Sequence, residues 1–147
     1  FMKRRKTMNK FNHIFTAYDK TPYSRFYSSG RNIARIDFIS GSCIRVAMYK
    51  DCTSLLPTFS VCPEFSLMLN GRERLSLEGF GLCEAEIKEN NGKETFLLPC
   101  GVRINLDLKN FNLSYYLGEK ELFSDRRPLA YNIEGEFGRD SFHYITA

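Results

Sequence analysis

Val102-Arg103-Ile104-Asn105-Leu106-Asp107-Leu108 decides the fold class. Val102, Ile104, Leu106 and Leu108 alternate with Arg103, Asn105, Asp107 and Lys109. That period of two gives a strand one face for a core and one for water. Outward from this segment the same alternation recurs. In Asn32–Ile39, Ala34, Ile36 and Phe38 share one face, with Arg35 and Asp37 on the other. After the turn Ser40-Gly41-Ser42, Ile44, Val46 and Met48 alternate with Arg45, Ala47 and Tyr49, which predicts an antiparallel hairpin.

Three more hairpins are predicted. Leu67-Met68-Leu69 meets Leu75 and Leu77 across Asn70-Gly71, a pair suited to a turn with two positive φ values. Cys83, Ala85 and Ile87 meet Thr95–Leu98 across Asn90-Asn91-Gly92, and Leu113–Tyr116 meet Leu122-Phe123 across Gly118-Glu119-Lys120. No 12-residue window has an amphipathic helical period, and aromatic residues make up 14% of the chain, an enrichment that favours sheets. Short strands punctuated every few residues by turn signals imply an all-β, antiparallel β-sandwich or barrel. No linker or internal repeat divides the 147 residues, so residues 12–147 are expected to be one domain.

The formal charge of +4 suggests a nucleic-acid partner until it is located. Five of the 21 basic residues (Lys3, Arg4, Arg5, Lys6, Lys10) lie in residues 1–10, which carry no acid. The other 16 face 17 acidic residues, a net charge of −1. The basic character is a tail over residues 1–11, expected to be flexible because like charges repel and nothing apolar is there to dock. The leading Phe1 reads as a remnant of cloning or cleavage, with translation starting at Met2 or Met8. The aromatic and basic run Tyr23-Ser24-Arg25-Phe26-Tyr27 with Arg31 has the composition of a single-strand binder, but the body lacks the basic face such a binder needs. No nucleic-acid partner is expected.

No run of about 18 apolar residues exists to span a membrane, and the basic start leads into polar Asn9–His13 rather than the apolar core of a signal peptide. The cysteines at 43, 52, 62, 83 and 100 are odd in number and never closer than nine positions, which argues for buried reduced thiols in a cytoplasmic setting.

The densest ionisable cluster is Glu134, Glu136 and Asp140 near His143. It has the residue types of an acid/base or cation site, but glycine-punctuated spacing that fits a solvated loop and no known metal motif. His13 is the other histidine, and neither a nucleophile motif nor a glycine-rich phosphate cradle is present. No catalytic residue, metal ligand or cofactor is assigned.

Gly41-Ser42-Cys43-Ile44-Arg45-Val46-Ala47-Met48-Tyr49-Lys50-Asp51, followed by Pro57-Thr58-Phe59-Ser60-Val61, resembles the N-terminal domain of glycoside hydrolase family 31, the α-glucosidase and α-xylosidase family. There, a "G-x-I-R-V-x-x-Y-x-D" strand leads to a "P-S/T-F/Y-x-V" segment. Phe111-Asn112-Leu113-Ser114, Gly118-Glu119-Lys120-Glu121-Leu122 and Ser124–Asn132 follow in the family's order. The resemblance implies a mutarotase-like supersandwich packed on a (β/α)8 barrel, with a loop at the rim of the sugar pocket. Hydrolysis in that family is retaining and uses an aspartate and a second carboxylic acid about 5–5.5 Å apart. Both belong to the barrel, and neither has a counterpart in this sequence. The expected partners are that barrel, on the same polypeptide, and indirectly its oligosaccharide. Apolar residues of the C-terminal quarter (Phe123, Leu129, Tyr131, Ile133, Phe137, Phe142, Tyr144, Ile145) form the expected docking surface.

Two other functions fit the residues. A free-standing carbohydrate-binding module would stack sugars on Tyr23, Tyr27, Tyr115 or Tyr116, since the chain has no Trp. A sugar mutarotase would need His13 or His143 paired with a glutamate over one ring.

Overall fold

In the computed structural model, residues 14–50, 55 and 72–126 are described, with the backbone of three two-residue strands beyond them. Every regular element there is a strand. A four-stranded antiparallel sheet has the order β1 (Thr16–Thr21), β2 (Ser24–Ser29), β3 (Asn32–Phe38), β4 (Ile44–Lys50). The second sheet comprises β5 (Glu86–Asn90), β6 (Lys93–Leu97), β7 (Val102–Asp107), β8 (Asn112–Leu117), β9 (Lys120–Asp125) and, on the outside of β9, the short β12 (Ile145–Thr146). β10 (Ala130–Tyr131) and β11 (Ser141–Phe142) pair with each other. The chain is an all-β antiparallel sandwich.

The alternating residues make the core. Ile104 and Leu106 of β7 meet Ala34, Ile36 and Phe38 of β3, and all five are fully or almost fully buried. Aromatic rings bridge the layers: Phe38 lies edge-on to Phe96 with centroids 5.4 Å apart, and Tyr27 to Phe111 at 5.5 Å. Such pairs add to the area term because ring edges and faces carry opposite partial charge.

Three predicted hairpins form, although β5 begins at Glu86, past the Cys83 and Ala85 expected on it. β3 and β4 pair with Asp37 opposite Arg45. β5 and β6 are joined by Asn91-Gly92, whose φ values of 42° and 79° are those of the turn that matches strand twist. β8 and β9 meet at Gly118-Glu119, with a register shift between Tyr115 and Tyr116. The fourth does not form on the described side. Leu75 and Leu77 lie outside any strand, because the carbonyls of Arg74, Leu75 and Ser76 turn towards the Arg45 guanidinium instead of a ladder. Leu67–Gly71 are outside the described residues. The β1–β2 hairpin was not anticipated, since the exposed β1 has no apolar alternation to announce it.

The thiols also differ from expectation. Cys43, Cys83 and Cys100 are free, but Cys43 and Cys100 are exposed and Cys83 is half-buried. All three sit at turns or strand approaches rather than on inward-facing strand positions. Cys52 and Cys62 are outside the described residues.

Candidate functional site

Three polar constellations stand out, one between the sheets and one on each outer face. The first is internal. Arg25 and Tyr27 share the inward face of β2, and Glu94 shares the inward face of β6 with Phe96. Across the sandwich, the Arg25 guanidinium donates to Glu94 at 2.7 Å and to Glu89 at 2.7 Å, and the Tyr27 hydroxyl donates to Glu94. The side chains of Arg25 and Glu94 are 5% and 3% exposed, so no substrate reaches this carboxylate. Burial, and then the bond to Glu94, pushes the Tyr27 phenol well above the ordinary tyrosine range. The constellation is an inter-sheet lock.

The second is on the outer face of the smaller sheet. Asp37 is fully buried there and accepts from Ser24, from Arg35 Nε at 2.6 Å and from Arg45 Nε at 2.9 Å. Arg45 continues to the carbonyls of Arg74, Leu75 and Ser76, while Arg72 holds those of Ser76 and Glu78. Both guanidinium groups lie over the Phe80 ring, at 5.9 and 5.0 Å from its centroid. These arginines spend their donors on the 74–78 turn, so they clamp a loop.

The third is open. Alternate residues of β5, β6 and β7 present Glu86, Lys88, Thr95, Leu97, Arg103 and Asn105 outwards around a groove of about 630 Å³. Cross-strand pairing builds it: Lys88 faces Thr95, Thr95 faces Asn105, Leu97 faces Arg103 and Arg103 faces Tyr116. Thr95 Oγ1 lies 3.1 Å from Asn105 Oδ1, Lys88 pairs with Glu86 at 3.1 Å, and the Arg103 guanidinium stacks 5.0 Å from the Tyr116 ring centre. The Tyr116 hydroxyl donates to Glu121, which raises its pKa. The groove offers both donors and acceptors, from Glu86, Lys88, Thr95, Arg103 and Asn105. It contains no nucleophile beside a base.

Compared with protein-family models, curated proteins and solved structures, the chain matches none.

Of the four tyrosines considered for sugar stacking, Tyr27 is fully buried and Tyr115 stacks on Phe123 with centroids 4.1 Å apart. Tyr116 is covered on one face by Arg103, and Tyr23 is 37% exposed. Arg25 and Tyr27 of the aromatic and basic run are buried and point into the sandwich, while Tyr23 and Arg31 are exposed. His13, Glu134, Glu136, Asp140 and His143 lie outside the described residues, as do the side chains of the expected docking surface other than Phe123. Among the described residues no group of His, Cys, Asp or Glu is arranged to hold a metal ion, and no helix is long and apolar enough to cross a membrane.

Sequence reasoning missed the buried charges, although two signals were available. Asp37 faces Arg45 once the β3–β4 register is drawn, and Glu94 falls on the same parity as Phe96.

Tyr115 gives a test of the packing. Burial, with a smaller contribution from Asp125, pushes its pKa up to about 12 from an ordinary 10. Above pH 10 the unfolded chain releases this proton while the folded chain keeps it, so stability falls as pH rises from about 10 to 12. Tyr115→Phe, which keeps the ring contact with Phe123, is expected to flatten that decline in urea melts, with tyrosinate absorbance reporting the delayed ionisation. An unchanged slope would contradict the assignment.

Proposed function

We propose that this chain is the non-catalytic N-terminal sandwich domain of a retaining α-glycosidase of the α-glucosidase type, belonging with a (β/α)8 barrel on the same polypeptide. One observation carries the reading. The segments that resemble family 31 and lie among the described residues fall on strands and the turns that join them: Gly41–Lys50 on the β3–β4 turn and β4, Phe111–Ser114 at the start of β8, and Gly118–Leu122 on the β8–β9 turn, while Pro57–Val61 lies outside the described residues. The role proposed is to pack on the barrel and shape the rim of its sugar pocket, within a mutarotase-like supersandwich. A cytoplasmic setting goes with it, supported by the free thiols at Cys43, Cys83 and Cys100.

The test is turnover of an aryl α-glucoside by this chain and by the longer gene product. No turnover by the chain and clear turnover by the longer product is the expected result. Activity in the chain alone, or a coding sequence that stops after Ala147, overturns the proposal.

A free-standing carbohydrate-binding module is the second reading, favoured by the groove around Thr95, Arg103 and Asn105. Calorimetric titration with maltose and xylo-oligosaccharides separates the two. Binding at millimolar sugar that Asn105→Ala abolishes supports the module, and no heat at that concentration dismisses it.

A further inference from the structure

Two of the three described thiols converge where the sheets meet at one end of the sandwich. The β5–β6 ladder ends at Glu86 opposite Leu97, three residues short of both Cys83 and Cys100. Neither cysteine is part of the ladder, because both chains leave it for the turn between β3 and β4. The Cys83 amide donates to the Phe38 carbonyl at 3.3 Å and its thiol donates to the Ser40 carbonyl. The Cys100 amide donates to the next carbonyl, that of Gly41, at 3.0 Å. Pro99 packs on the same glycine, 3.6 Å from where a Cβ would stand. Burial raises the Cys83 pKa, and the charge of the neighbouring Cys100 thiolate raises it further.

We propose that Cys83 and Cys100 are a redox pair that closes into a reversible disulfide across the open end of the β5–β6 hairpin. The oxidant is a small-molecule disulfide such as oxidised glutathione. Exposed Cys100, as thiolate, attacks one glutathione sulfur, expels one glutathione thiolate and becomes a mixed disulfide. Cys83 loses its proton to solvent and attacks the Cys100 sulfur, expelling the second glutathione. Two cysteine thiols are oxidised to one cystine and one oxidised glutathione is reduced to two thiols. The half-buried Cys83, held on Ser40, acts second because it is the less accessible of the two to the oxidant. The bond would fasten edge strand β5 to the β6–β7 turn, beside Glu86, Leu97 and Gly101 of the outer groove. This inference stands apart from the glycosidase reading.

The experiment equilibrates the folded 147-residue chain in glutathione buffers of rising oxidised fraction, blocks free thiols and maps peptides without reduction. The expected result is the loss of two of the five thiols together, with the Cys83 peptide linked to the Cys100 peptide. Lys88 and Lys93 lie between them, so trypsin separates the two peptides. In Cys83→Ser, Cys100 is expected to stop at the glutathione adduct. The same treatment in concentrated urea is expected to lose the pairing preference. Separate glutathione adducts on Cys83 and Cys100 in the folded wild-type chain, or a dominant link from either to Cys43, would overturn the proposal.

Discussion

Asp37→Ala is expected to lower stability by about 3 kcal/mol, which at a urea slope of about 1–3 kcal/mol/M moves the midpoint by about 1–3 M. The carboxylate is fully buried and is the shared acceptor for Ser24, Arg35 and Arg45. Without it, two guanidinium groups face each other with no counter-charge, and breaking a buried pair by removing one partner costs about 3–5 kcal/mol. The low end applies because the Arg35 and Arg45 side chains are 15% and 20% exposed and regain some hydration. The effect reaches beyond the strand. Asp37 fixes Arg45, and Arg45 holds the carbonyls of Arg74, Leu75 and Ser76, so the 74–78 turn is expected to lose hydrogen-exchange protection ahead of the sheet. Asp37→Asn keeps the shape but aims a donor at an arginine, and is expected to lie near the alanine variant. A loss under about 0.5 kcal/mol in either would refute this account.

Glu94→Ala is expected to cost a similar amount, about 3–4 kcal/mol, for a different reason. Glu94 is the point at which the two sheets share a charge: Arg25 and Tyr27 reach it from β2, across the core. Its removal strands a guanidinium that is 5% exposed, with only the peripheral Glu89 left to receive it, and leaves the Tyr27 hydroxyl without its acceptor. Glu94→Gln keeps an acceptor and is expected to lose about 1–3 kcal/mol. Arg25→Met with Glu94→Met together should recover much of the loss, since an apolar pair carries no desolvation penalty. A double-mutant cycle measured by chemical denaturation gives the coupling directly, and strict additivity would show that the two residues do not act as a unit.

These two variants mark the boundary between what was legible in the sequence and what was not. The strands β3, β4 and β7 could be read because period-two alternation is a local property, and β6, β8 and β9 because a turn signal adjoins a short apolar run. The turns at Asn91-Gly92 and Gly118-Glu119 were legible because few residues adopt positive φ. β1 was not, because an exposed edge strand has no face to bury and takes its place from its partner, β2. The candidate site was half legible. Arg103 and Asn105 were placed on the outward face of their strand from Val102–Leu108 alone, whereas the groove they line exists only once β5, β6 and β7 lie in register.

By itself the sequence determined an all-β chain, its principal hairpins, the core face of β7 and a body whose charge is nearly balanced. Only the tertiary structure decided which polar residues are inside. Arg25, Asp37 and Glu94 sit on strands at positions that read as ordinary alternation, and whether such a charge meets water or a partner depends on what the opposing layer places there. A buried ion is tolerated only when its counter-charge arrives from elsewhere in the chain, 69 residues away for Arg25 and Glu94. Strand period is a local quantity, and that meeting is not.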